Sequence, residues 1–188
     1  MVSLNLFNGI SSLSFSLIPY LFNTPTFVQT RLNILSLASS SYHIISEFRA
    51  LKNNENNEMS DFTKRLIEGL DGSSIILVCN PFIFDITNNF HNIDINLVLF
   101  YLSTKLTIDS EIIKKIMYIS SHAKLVWFYP KLIIPLILSQ MSFYKQYILD
   151  KNDKYGTEVW NPYNRYFWHI SNAIFVGFAM KYFNLCIV

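Results

Sequence analysis

Leu66-Ile67-Glu68-Gly69-Leu70-Asp71-Gly72-Ser73-Ser74-Ile75-Ile76-Leu77-Val78-Cys79-Asn80-Pro81-Phe82-Ile83-Phe84 is the stretch whose length and apolarity decide the fold. A helix that crosses a bilayer needs about twenty mainly apolar residues, and this run supplies them, with Asp71 near its start. Six further segments approach the same length. They run from about Leu4 to Phe22, Thr26 to Phe48, Ile93 to Thr104, Ile112 to Phe128, Leu132 to Ile148 and Tyr163 to Phe183. The first is rich in serine and contains Asn8 and Pro19, and the fifth segment of the seven carries Lys114, Lys115, His122 and Lys124. The expectation is an all-α, polytopic membrane protein: a seven-helix transmembrane bundle forming one domain over residues 1–188.

Composition points the same way. Of 188 residues, 51% are hydrophobic and 15% charged, and the mean hydropathy is +0.27. Soluble domains carry about 25% charged residues spread over helix faces; here the charges cluster between apolar blocks, as in loops joining spans. The tract Lys52 to Glu58 is polar and aperiodic, so residues 49–64 read as a solvent-exposed loop on the cytosolic side. Basic residues near the span ends set the orientation. Eleven of the fifteen fall on one side of a seven-span topology, which places the N-terminus in the cytosol. No Lys or Arg precedes Arg31, so the first segment reads as an uncleaved span and not a secretory signal. The two cysteines, Cys79 and Cys186, have no CxxC spacing and imply neither a disulfide framework nor a zinc finger. A net charge of +2 without a basic stripe excludes nucleic acid as a partner. The expected partners are membrane lipids and other membrane proteins.

Polar residues sit at the ends of these apolar runs. Ser39 and His43, four residues apart, share one helix face; Asp71 opens the third run, and Trp168-His169 lies within two turns of the start of the seventh. With the N-terminus inside, these groups reach one depth. Ionisable side chains at membrane depth are costly and mark a site when they converge. Two imidazoles and a carboxylate could hold a divalent metal and lower the pKa of a bound water. Each residue alone has a plainer reading: an interfacial histidine for His43, a helix-start carboxylate for Asp71, and an aromatic anchor for Trp168. A Ser39-His43-Asp71 nucleophilic triad is disfavoured, because Ser39 lies within an apolar helix without a glycine-flanked turn.

The ordered pattern Ser39-Ser40-Ser41-Tyr42-His43, then Leu70-Asp71-Gly72-Ser73, then Trp168-His169 resembles the CREST superfamily of seven-span membrane hydrolases. That group includes alkaline ceramidases, progestin and adipoQ receptors, and GPI-anchor remodelling proteins. Its signature is Ser-x3-His in the second span, Asp in the third and His-x3-His in the last. The resemblance implies that His43 and His169 hold zinc, with Ser39 and Asp71 beside it on the hydrolytic water. The sequence departs from the pattern at Arg165, which takes the first position of the final pair and cannot ligate a metal. Three functions are compatible. One is a divergent, inactive member serving as a membrane binding or scaffold protein, with Arg165 paired to Asp71. Another is a zinc-dependent hydrolase of ceramide-like acyl amides or esters, with Asp71 as proton acceptor. The third is a small hydrophobic subunit of a larger membrane assembly.

Overall fold

The computed structural model describes residues 9–22, 24–52, 61–85, 91–141 and 162–187, and its regular structure is all α-helical. A short helical stretch at 9–12 leads into α1 (Ser14–Phe22). Then come α2 (Thr26–Lys52), α3 (Asp61–Phe84), α4 (Asn92–Ile108) and α5 (Ile112–Phe128). A 3-10 turn at Pro130–Leu132 precedes α6 (133–141), and α7 spans Pro162–Ile187. The described part of each of the seven apolar segments thus falls on a helix, while residues 4–8 of the first and 142–148 of the sixth lie outside the described residues. Of the loop expected over 49–64, residues 49–52 belong to α2 and 61–64 to α3, and residues 53–60 lie outside the described residues. Helix α3 is the centre, packed against α2, α4 and α5, while α1 packs between α2 and α7.

Two breaks in helical hydrogen bonding govern how α2 meets its neighbours. Pro81 lies inside α3 and has no amide proton, so the carbonyl four residues back, Leu77, loses its helical donor. Arg31 Nη1 on α2 donates to that carbonyl at 2.8 Å. The second break is at Leu13, where the amides of Leu13 and Ser16 bond to Ile10 and Leu13, three residues back instead of four. This releases the carbonyls of Gly9 and Ser12. Ser40 Oγ donates to the first at 2.8 Å and Ser36 Oγ to the second at 3.1 Å. Val28, Leu32, Ser36, Ser39, Ser40 and His43 are all buried, as expected of one face of a helix at intervals of three and four. That face of α2 is therefore the receptor for the broken segment of α1.

Small residues let α4 approach α3. A Cβ on Gly72 would overlap the Tyr101 hydroxyl, and one on Gly69 would stand 3.0 Å from Leu102. The Asp71-Gly72-Ser73 run is thus a contact surface as well as a candidate site. At the C-terminal ends of α3 and α4, Asp85 and Asp109 each adopt φ 53°, a left-handed conformation that Asp tolerates better than most residues. Each is paired with a lysine: Asp85 with Lys124 at 2.8 Å, and Asp109 with Lys105 at 2.6 Å.

The distribution of polarity is inverted. Among the described residues, seventeen polar or charged side chains are buried against nineteen apolar ones, and twenty-six large hydrophobic side chains are exposed. Water-soluble domains rarely bury Arg, Asp, Lys and His together. The seven-span expectation is nevertheless corrected. Among the described residues, Asp61–Phe84 is the one helix long and apolar enough to cross a membrane, and 56% of its best stretch is buried. The reasons are local. Helix α1 has nine residues, α4 and α5 have seventeen each with charges at their ends, and α2 and α7 are long but diluted by Ser, Asn, Tyr and basic residues.

Candidate functional site

The residues that meet do so where the Leu13 break, the buried face of α2 and the first turns of α7 converge. The rings of His43 and His169 stand 5.3 Å apart, centroid to centroid, tilted by 58°. Ser11 Oγ lies 2.7 Å from His169 Nδ1, and Ser12 Oγ lies 3.4 Å from the same nitrogen. Ser12 Oγ in turn donates to Ser39 Oγ at 3.1 Å. Phe15 and His169 meet edge to face with centroids 6.4 Å apart, and Tyr42 and His43 do so at 5.1 Å. All five polar residues are 95% or more buried. An isolated hydroxyl or imidazole at such burial would cost about 1–3 kcal/mol, and the mutual bonds offset that cost.

Three of the four residues expected at the site, Ser39, His43 and His169, are therefore brought together, and Ser11 and Ser12 join them. Asp71 lies on the neighbouring helix α3. It is half-buried on α3, its carbonyl accepts from Ser74 Oγ, and its charge lies close enough to act on the Tyr101 phenol. The side chains of Arg165 and Trp168 lie outside the described residues, although their backbone is part of α7, so the Arg165 to Asp71 pairing is not described either. Among the described residues, no three His, Cys, Asp or Glu side chains gather as metal ligands. Hydrolytic zinc takes three protein ligands and a water. His43 and His169 supply two, so the described donor set does not fit the metal that the resemblance implies.

Two ionic centres escape the sequence reading. Arg31 and Asp94, both fully buried, form a forked pair at 2.7 and 2.8 Å. Asn80 Nδ2 donates to Asp94 Oδ1 at 2.8 Å and the His91 amide to Oδ2 at 2.7 Å, so the same carboxylate caps α4 and joins α2, α3 and α4. The signal was present in the sequence, because a lone cation five residues into an apolar run requires a partner. What it does not reveal is which carboxylate. The other centre is Lys105, buried among Glu68 at 2.8 Å, Asp109 at 2.6 Å and Glu111 at 2.7 Å, with Lys114 also paired to Glu111. Bonding to Lys105 lowers the pKa of Asp109. Burial on its own would raise that of Glu111, but Lys114 and Lys105 outweigh it and the net shift is downward. A polar cleft of about 340 Å³ opens beside this centre, lined by Asp61, Lys64, Arg65, Glu68 and Asp109.

The remaining histidines have structural partners. His91 Nδ1 accepts from the Ile93 amide at the start of α4. His122 lies 2.7 Å from the Tyr118 carbonyl through Nδ1 and stacks on Phe175 at 4.7 Å.

No family model matches the chain, and neither a curated protein nor a solved structure is significantly similar to it. The functional reading accordingly rests on the residues themselves.

Proposed function

We propose that this chain is an integral membrane protein that binds lipid in a polar interior, a divergent relative of the CREST-type hydrolases that acts as a binding or scaffold protein without their metal chemistry. The observation that carries this reading is the serine-lined His43–His169 pair, buried in a bundle that exposes many large hydrophobic side chains among its described residues. Helix α3 is the clearest span, and α2 and α7, at 27 and 26 residues, are long enough to accompany it. Arg49, Lys52, Lys64 and Arg65, at the facing ends of α2 and α3, favour the cytosol for that side, and His43 lies toward that end of α2. Alkaline extraction of membranes containing the full chain, followed by elemental analysis of the detergent-purified protein, tests the proposal. The expected result is retention in the membrane pellet with zinc well below one per chain. Release into the wash would remove the membrane reading, and stoichiometric zinc would return the site to the metal-dependent hydrolases.

A further inference from the structure

Asp61, Lys64, Arg65 and Glu68 stand three and four residues apart, so α3 turns all of them to one side, where Asp109 of α4 completes a cleft of about 340 Å³. That volume is at the lower end of small-molecule sites, roughly 300–1,000 Å³, but such sites are mostly apolar, and all five residues lining this one are charged. Glu68 and Asp109 are engaged with the buried Lys105. Arg65 Nη1 donates to the Leu106 carbonyl at 3.3 Å, a bond that holds the guanidinium beside α4 and uses one of its five N–H donors. Bonding to Lys105 does most to lower the pKa of Asp109, and the charges of Arg65 and Lys64 lower it further, so both cations act on the α4 wall. Asp61 is at helix-pairing distance in sequence from Lys64 and Arg65, yet among the described residues it forms no ion pair with either. The cleft thus offers two cations and a carboxylate that do not satisfy one another.

We propose that this cleft is a headgroup site for a phospholipid carrying a phosphodiester and a primary ammonium, the phosphate taken by Arg65 and Lys64 and the ammonium by Asp61. Arginine matches phosphate with a planar fork of donors, and lysine adds a point charge. A primary ammonium donates hydrogen bonds to a carboxylate. A quaternary one has no N–H and is recognised by aromatic rings, which the lining lacks. Phe62 and Ile108, the chain neighbours of Asp61 and Asp109, are 61% and 71% exposed and offer apolar contact to acyl chains. The headgroup chemistry stands on the cleft, while its lipid source rests on the membrane reading above. None of the residues around the His43–His169 pair takes part.

Native mass spectrometry of the delipidated full chain in detergent, titrated in turn with short-chain phosphatidylethanolamine, phosphatidylglycerol and phosphatidylcholine, tests the site. The expected result is one phosphatidylethanolamine per chain, held about tenfold more tightly than either other lipid, the difference that one charge-assisted hydrogen bond makes. Lys64→Gln should weaken the ethanolamine and glycerol lipids alike. Asp61→Asn should abolish the preference for ethanolamine without weakening phosphatidylglycerol, and Lys131→Gln should change nothing. Asp61 and Lys64 are exposed, so both variants should keep the wild-type melting temperature. Equal affinity of the wild type for the three lipids, or a preference that survives Asp61→Asn, overturns the site. Soluble glycerophosphoethanolamine as competitor separates the two sources of the headgroup. Displacement at equal concentration, or binding sensitive to Asp61→Asn in a chain that alkaline extraction releases, would uphold the cleft and remove only the lipid; weaker displacement keeps the lipid.

Discussion

The Arg31–Asp94 pair is a costly arrangement, since both side chains are fully buried and each is tolerable only with the other. Asp94→Asn leaves a buried guanidinium without its counter-charge, although the Leu77 carbonyl still accepts from it. Unfolding in detergent should show a loss of about 3–5 kcal/mol for Asp94→Asn or Arg31→Leu alone, whereas Arg31→Leu combined with Asp94→Leu should lose less than either. A double variant as damaged as the sum of the singles would mean that the pair is not a closed unit. At this scale the sequence was legible where a residue's depth follows from its place in an apolar run. Ser39, His43 and His169 meet because spacing on α2 and position on α7 fix their height. Ser11 and Ser12 were not legible, because the break at Leu13 has neither proline nor glycine to announce it. The Arg31–Asp94 contact was hidden by the 63 residues that separate its partners.

Between helices, the Lys105 centre ties α4 to the start of α5 and to α3. Asp109 and Glu111 have their pKa values lowered in the folded chain. Their contribution to stability is therefore complete above the unfolded carboxylate range, about 4, and is lost as pH falls through the lower folded values. Melting temperature should be flat from pH 7 to 5 on account of this centre and should fall below about 4. Lys105→Met should cost roughly 1–2 kcal/mol at pH 7, where the part-buried Glu68 and Glu111 would lose the cation they share, and the deficit should shrink in acid as Asp109 and Glu111 protonate. A deficit independent of pH would show that Lys105 acts by packing alone. The helices themselves were readable from apolar length, and their starts and stops less so. Helix α2 runs on through Arg49 to Lys52, because charged residues at a helix end need only solvent on one side.

For the molecule as a whole, the composition announced an interior and an exterior of unusual polarity, and the buried and exposed residues agree. The number of crossing helices was not readable, since averaging over a run cannot separate an apolar face from the polar face that α2 and α7 turn inward. One consequence concerns biogenesis. On the membrane reading proposed above, Arg31 enters the bilayer with α2 and the Leu77 carbonyl with α3, but the neutralising carboxylate is translated only with α4. A nascent chain ending at residue 90 would hold a guanidinium at depth without a counter-charge, an unfavourable state for insertion. In translation with membranes present, that truncation should resist alkaline extraction poorly and be degraded quickly, and Arg31→Leu within it should restore retention. Equal retention of the two would show that α2 settles without help. Otherwise Asp94 works as a checkpoint in synthesis, keeping the first helices provisional until the fourth has been made.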